Sequence, residues 1–403
     1  MKKVLIIEPV LTGHHYNYLL NIAKGLNGGD IKLTILTRSG IVVDGFRNEL
    51  GSDIDINVVE YSRFDRLSSS VESYWRILLR YFEFYYFYRA AFLCYVKEGF
   101  DLVFLPYGDT ILYFAALFGS PFARTPWAVI TMRSSFHWSM SRGNFKSKFT
   151  NFLKLALFKR FLKCKTLTNV YSIDPLLIEF SQRNINSDFH RKLRYLADPV
   201  EDIKLLSREK SRLDLNESVT DSDFLILVYG ALAMRKGIAK LLNFLVNPLC
   251  DKNIKLVLVG VPDTEFLQFT ENSEYVALRK SGRILEFFGR ASIDFQDIVF
   301  SASDASWVGY EGHLGMSGVL LLAEKYGVPS LVSPDGLMGW FNSQYGFGAS
   351  VDHLLNEDFC SVFSIKELLN AQRFQNRSER RNLIESHSWS KFVNVVKADI
   401  SKV

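Results

Sequence analysis

The sequence predicts an α/β protein made of two doubly wound, Rossmann-like domains. Three observations point there. The chain has 403 residues, too many for one ordinary domain and enough for two. Its strongest apolar segments are short continuous runs rather than alternating ones, as in parallel strands covered on both faces. The order strand, glycine loop, helix, strand occurs at the N-terminus and starts again near residue 223.

Lys3-Val-Leu-Ile-Ile-Glu-Pro-Val reads as the first strand, Leu11-Thr-Gly-His-His-Tyr as its loop, 17–26 as a helix and 31–37 as the next strand, together a βαβ unit. Strands follow at 101–106 and 127–132, with helical stretches between. One of these, 75–96, is rich in Tyr and Phe; Arg76, Arg80, Glu83 and Arg89 interrupt it, so it reads as a buried aromatic helix rather than a membrane span. The join falls near Ala197-Asp198-Pro199-Val200, which sets domains at 1–198 and 199–385. The second domain opens with a strand at 223–230 and a helix from about Gly237, then strands at 254–260, 284–288, 305–308 and 329–333. There is no short-period repeat and no low-complexity tract.

Hydrophobic residues at 48% exclude a disordered or fibrous chain. Cys94, Cys164, Cys250 and Cys360 show no metal-binding spacing and suggest buried free thiols in a reducing compartment. Glu8 and Pro9 cut the first apolar run too short for a signal-peptide core. The net charge of +5 conceals an uneven distribution: residues 111–173 hold ten Lys and Arg and no acid, so the remainder is net −5. A concentrated basic zone implies an anionic partner: phosphate, membrane surface or nucleic acid.

Three glycine loops follow strands, where open α/β sheets place ligands. In the first, Gly13 permits a tight turn, and His14 or His15 offers a general base or a hydrogen-bond donor at a helix start. It contains no GxGxxG, so a dinucleotide fingerprint is not supported. In the second, Tyr229-Gly-Ala-Leu-Ala-Met-Arg-Lys-Gly, Gly230 makes the turn and Arg235 with Lys236 suit a diphosphate. In the third, Tyr310-Glu-Gly-His-Leu-Gly-Met-Ser-Gly, Ser317 is an N-cap candidate before an apolar helix. Its backbone N–H groups near Gly318, with Ser317 and His313, offer a second phosphate face, and Glu311 can accept bonds from sugar hydroxyls.

The second half resembles the donor domain of the GT-B glycosyltransferases, most of all glycosyltransferase family 4. The residues that carry this are Gly230 with Arg235-Lys236-Gly237, Leu285-Glu-Phe-Phe-Gly, Ala302-Ser-Asp-Ala-Ser-Trp-Val, Gly327-Val-Pro-Ser-Leu-Val-Ser and Ser388-Trp389-Ser-Lys-Phe. The resemblance implies two Rossmann-like domains facing a cleft, a donor domain at 199–385, and a helix at 386–403 that crosses back to the first domain. It also implies transfer from a nucleotide-diphosphate sugar, with retention of anomeric configuration. The family's two glutamates, eight positions apart, fall here on Leu314 and Leu322; Glu311 lies near the first, and Glu324 lies two residues from the second on another helix face. That departure implies a divergent branch. The family's histidine after the 127–132 strand is matched by Arg133 or His137, and His14 parallels the base of inverting relatives of this fold.

Within the basic zone, Phe149, Phe152, Leu153, Ala156, Leu157 and Phe161 recur at helical spacing. Lys146, Lys148, Lys154, Lys159, Arg160 and Lys163 lie around them. Such a helix suits an anionic bilayer surface. The expectation is therefore a cytoplasmic transferase, peripheral on the inner face of the cell membrane. It uses no cofactor and no metal, because cations and helix ends can neutralise the leaving diphosphate. Its partners are a nucleotide sugar, a lipid-linked or cell-surface glycan acceptor and anionic lipid, not nucleic acid. The rivals are a sugar-nucleotide epimerase of the same fold, or a noncatalytic protein binding anions or nucleic acid.

Overall fold

The computed structural model describes residues 1–11, 14–27, 30–38, 42–51, 54–59, 74–138, 145–354, 361–373 and 377–402. It divides into two units, Met1–Pro199 with Ser388–Val403, and Val200–His387.

The first unit contains a parallel sheet of β1 (Lys2–Ile7), β2 (Ile31–Arg38), β3 (Asp55–Val59), β4 (Leu102–Leu105), β5 (Trp127–Thr131), β6 (Leu167–Ser172) and β7 (Leu193–Tyr195). Their spatial order is β3-β2-β1-β4-β5-β6-β7. The chain starts at β1, winds outward to β3 and returns to pair β4 with β1, so the winding reverses between β1 and β4. The second unit holds β8 (Phe224–Tyr229), β9 (Ile254–Gly260), β10 (Ile284–Phe288), β11 (Ala305–Val308), β12 (Ser330–Val332) and β13 (Gly348–Ser350), in the order β10-β9-β8-β11-β12-β13. Here the reversal falls between β8 and β11. Loops at such reversal points splay apart and leave room for a ligand. Both sheets are parallel throughout, the two-domain α/β architecture that the apolar runs predicted.

Four strands stand beyond the sequence expectation: β3, β6, β7 and β13. β7 and β13 have three residues each, and β13 is only Gly-Ala-Ser. Hydrogen bonding to an apolar neighbour, rather than side-chain pattern, makes them strands.

The helix Trp389–Ile400 belongs to the first unit. Phe392, Val396 and Ile400 join the core beside the helix His14–Leu26, and Asp399 accepts bonds from Tyr171 Oη at 3.1 Å and Arg194 Nη1 at 2.7 Å.

The helix Phe145–Leu162 corrects one expectation. Its buried side is Asn151, Leu155, Phe158, Phe161 and Leu162, not the predicted face. Of the six apolar residues expected on one face only Phe161 is buried, while Phe149, Phe152 and Leu153 face solvent. The helix is apolar on two sides, and the sheet takes the side whose rings meet Trp127 and Phe136. The aromatic helix Tyr74–Tyr95 is likewise buried on one side only: Phe87, Tyr88 and Phe92 are in the core, and Phe82 and Tyr86 are exposed. No helix among the described residues is long and apolar enough to cross a membrane. Of the cysteines, Cys250 is buried, Cys164 half-buried and Cys94 exposed, correcting the expectation of uniformly buried thiols; Cys360 lies outside the described residues.

Candidate functional site

In the second unit, β8 is followed by Gly230, whose φ is +91°. β9 ends at Gly260 (φ +145°), where an added Cβ would lie 1.7 Å from the Gly230 carbonyl oxygen. Only glycine lets these two strand ends approach so closely. The chain then forms a 3₁₀ turn, Met234–Lys236, closed by Gly237 in the left-handed region. A Cβ on Gly237 would sit 2.2 Å from the Gly309 carbonyl oxygen, so the turn is pressed onto the loop after β11. Trp307 Nε1 donates to the Lys236 carbonyl at 2.7 Å, and the Glu311 N–H donates to the Arg235 carbonyl at 2.7 Å. The loop 334–336 joins them through Leu337 N–H to Leu314 carbonyl at 3.0 Å. The loops 230–237, 309–318 and 334–336 therefore meet at one edge of one sheet.

The two adjacent cations separate within that turn. Successive residues of a 3₁₀ turn point about 120° apart. Arg235 is exposed, whereas Lys236 is 4% exposed. Lys236 Nζ donates to the Tyr229 carbonyl and stands 5.4 Å from the centre of the Tyr310 ring. Burial, with the neighbouring Arg235 charge, lowers its pKa to about 7. Among the described residues, no acidic side chain pairs with it. A buried ammonium without a carboxylate is costly unless an anion arrives.

Tyr310 links this cation to the third loop. Its hydroxyl accepts from Ser317 Oγ at 3.1 Å, and His313 meets its ring edge-on, with His313 Nε2 3.2 Å from the Met316 carbonyl. Ser317 occupies the N-cap position of the helix Gly318–Lys325 as expected, but its hydroxyl serves Tyr310 and no side chain caps the first turn. Gly318 is exposed. Glu311 is half-exposed and pairs with Lys240 at 3.2 Å. Glu324 is held by Arg380 at 2.8 Å, so its carboxylate faces the helix Arg377–Ser386.

In the first unit the corresponding edge has the opposite character. Glu8, just past β1, is 1% exposed. Its Oε1 accepts from the Val10 N–H at 3.0 Å and lies 3.3 Å from His15 Nδ1. The His15 ring stacks on Tyr107 with centroids 3.7 Å apart. Burial raises the Glu8 pKa against the opposing pull of His15. Asp198 is buried, and burial pushes its carboxyl up to about 7. Burial, then the Asp198 charge, raises the Tyr107 hydroxyl well above its ordinary value. Asp109, after β4, accepts from Thr131 Oγ1 at 2.7 Å, Met132 N–H at 2.9 Å and Arg133 N–H at 3.1 Å. The Arg133 side chain is exposed and its charge reaches Tyr107. His137 is buried, 2.8 Å from Asp174, which also accepts from Trp138 Nε1 and caps the helix Pro175–Asn184.

Of the expected site residues, Gly230, Arg235, Lys236, Glu311, His313, Ser317 and Gly318 come together in the second unit. Gly13 lies outside the described residues, and His14 is described only as the first residue of its helix, without its side chain. Arg133 and His137 stand on one loop, tied to Asp109 and Asp174 respectively. Lys146 lies in the helix Phe145–Leu162 without a described side chain. Lys148 is exposed, Lys154 and Lys159 are half-buried, Arg160 donates to the Ala116 carbonyl at 2.7 Å, and Lys163 stands over the Phe189 ring. Glu8, Tyr107, Asp109, Asp198 and Tyr310 are further residues of these edges that no motif marks. Their signal is positional: all but Asp198 follow an apolar run by a few residues. Among the described residues, no three His, Cys, Asp or Glu side chains gather as metal ligands.

No family model and no curated protein matches the chain. Solved structures do match it over its whole length. HepE from Anabaena, in complex with UDP and glucose, aligns with a TM-score of 0.65 at 13% identity, covering 100% of both chains. Sucrose-phosphate synthase from Thermosynechococcus elongatus aligns at 0.65 and 14%, covering 100% of this chain and 99% of that one. The lipopolysaccharide outer core galactosyltransferase WaaB aligns at 0.60 and 15%, covering 100% of both. The chain thus has the two-domain α/β GT-B fold.

Proposed function

We propose that this chain is a glycosyltransferase that moves a sugar from a nucleotide-diphosphate sugar to a lipid-linked or cell-surface glycan acceptor, at the inner face of the cell membrane. The observation that carries the reading is Lys236: a buried cation with no acidic partner among the described residues, at the reversal point of the second sheet. A diphosphate supplies the missing counter-charge. The uncapped first turn of the helix Gly318–Lys325 supplies backbone N–H donors and the positive end of a dipole. Similarity to structures that hold UDP and UDP-glucose supports the same choice of ligand class.

In this reading Lys236 and Arg235 take the diphosphate and stabilise it as it leaves, so neutralisation comes from protein charges rather than a metal. Ser317 and His313 orient the phosphate face, and Glu311 accepts from sugar hydroxyls. The first unit holds the acceptor hydroxyl: His14 or His15, with Glu8 behind His15, Arg133 and His137 are its candidates for polarising or deprotonating it. Retention of anomeric configuration is part of the proposal, on the resemblance to family 4.

The test is a thermal-shift panel of UDP, GDP, ADP, CMP and dTDP, then titration calorimetry with the best ligand on the parent and Lys236→Met. One nucleoside diphosphate should stabilise the parent and bind Lys236→Met much more weakly. If no nucleotide stabilises the protein, the reading fails. The anomeric signal of the product by proton NMR decides retention.

A further inference from the structure

Three helices of the first unit leave apolar side chains in solvent where the sequence carries almost no acid. On the helix Phe145–Leu162, Phe149 and Phe152 are 61% and 64% exposed, with Leu153 beside them. On the helix Leu112–Phe118, Phe118 is 62% exposed and Leu117 accompanies it. On the helix Tyr74–Tyr95, Phe82 and Tyr86 are exposed one turn apart.

Contacts tie the three helices together. Phe118 stacks on Phe114, with centroids 5.9 Å apart, and Phe114 meets Phe82 at 5.8 Å. Arg160 lies on the helical stripe of Phe149, Phe152, Leu153 and Ala156, and its Nε donates to the carbonyl of Ala116, one residue from Leu117. The middle helix therefore joins the other two through ring contacts on one side and Arg160 on the other.

The charge around this surface is one-sided. The described side chains of the three helices include Arg80, Arg89, Lys148, Lys154, Lys159 and Arg160 against a single acid, Glu83, which is half-buried. Exposed aromatics and leucines on helices that also carry cations match a bilayer with anionic headgroups. A second copy of the chain would set two basic surfaces face to face, and the aliphatic Leu117 and Leu153 offer nothing to nucleic-acid bases.

We infer that the helices Tyr74–Tyr95, Leu112–Phe118 and Phe145–Leu162 form a bilayer-docking surface, with Phe118, Phe149 and Phe152 entering the interface of an anionic leaflet. This rests on the membrane location proposed above, not on the sugar chemistry, and nucleotide binding is a separate readout.

The experiment is flotation of the full chain with phosphatidylcholine vesicles, with and without phosphatidylglycerol, at low and high salt. The chain should float with the anionic vesicles, and salt should weaken binding. Phe118→Ser, Phe149→Ser and Phe152→Ser together should weaken it roughly tenfold per aromatic removed. Lys148→Glu with Lys154→Glu should weaken it about tenfold or more. All five side chains are exposed or half-exposed, so the melting temperature and the nucleotide-induced shift should remain those of the parent. A Phe152→Trp chain should show a blue-shifted emission with anionic vesicles only. The inference is overturned by absence of binding to anionic vesicles or by binding that ignores the triple serine change. It is equally overturned if the chain forms a dimer that the triple change dissolves, or binds a single-stranded RNA oligomer in place of vesicles.

Discussion

The two sheets share a winding scheme and differ in the charge placed at its reversal point. In the second unit the edge is built on glycines and a buried cation, Lys236, that lacks an acidic partner among the described residues. In the first unit it is built on buried carboxyls, Glu8 and Asp198, packed near His15 and Tyr107. Topology supplies the same address twice; the first inward side chains after each strand decide what can be received there. A buried cation awaits an anion, whereas raised carboxyls beside a histidine can hold or move a proton.

The largest expected effect breaks the second edge outright. Gly260→Ala places a Cβ 1.7 Å from a backbone oxygen at a φ of +145°, and neither can yield cheaply. It should cost about 3 kcal/mol or more in urea unfolding of the second unit. Gly108→Ala is the matching change in the first unit. Its Cβ would lie 1.8 Å from Val129 Cγ2, a side-chain atom that can rotate away in part, so about 1–2 kcal/mol is expected. Equal losses would show that the first edge is packed as rigidly as the second.

Ligand binding should separate the edges next. Lys236→Met should weaken the nucleoside diphosphate by about 100-fold in calorimetry, the scale of a buried charge-assisted contact. Glu8→Gln should leave that affinity unchanged and lower turnover by at least tenfold, with an altered pH–rate profile. A Glu8→Gln chain that loses nucleotide affinity would contradict the division of labour.

Acidity should separate them in direction. Lys236 titrates at about 7 when folded and near its ordinary value when unfolded. Between those values the unfolded chain holds the extra proton, so this lysine makes the second unit more stable as pH rises from about 7. Asp198, raised to about 7 by burial, acts oppositely: its folded form keeps the proton longer, so its contribution is lost as pH rises from about 4 to 7. Nucleotide affinity should fall as pH rises through about 7, because the anion needs the charged lysine. Melting curves and calorimetry across pH check all three signs, and Lys236→Met should flatten the upper branch.

Much of the fold was legible because apolar continuity is local information. β4, β5 and β8 to β12 lie within the runs read as strands, and β1 and β2 overrun theirs by one residue each. β6, Leu-Thr-Asn-Val-Tyr-Ser, mixes polar residues, and β13 has no apolar run, so only their neighbours mark them as strands. At the site, the glycine loops were visible because glycine is itself the signal. The inward turn of Lys236 was not, since adjacent letters do not give the phase of a 3₁₀ turn. Glu8 looked like the end of an apolar run, and the fold buries it behind His15. The two-sided helix Phe145–Leu162 shows a related limit: periodicity found an apolar face, but only the packing of Phe158 and Phe161 decides which face the sheet takes.

The smallest expected effect bears on that same adjacency. Arg235 and Lys236 are neighbours with equal charge, yet the fold uses the Arg235 carbonyl, which accepts from the Glu311 N–H, and leaves its side chain exposed. An exposed guanidinium is screened by salt and by water, so Arg235→Ala should weaken nucleotide binding only about two- to fivefold, and less at high ionic strength. The Lys236→Met loss should persist in salt, because screening barely reaches a buried charge. Calorimetry on both variants at low and high salt measures the difference. If the two losses are equal and equally salt-sensitive, the diphosphate is held at the surface of the turn, and the buried lysine is a feature of the second unit's packing rather than of its ligand.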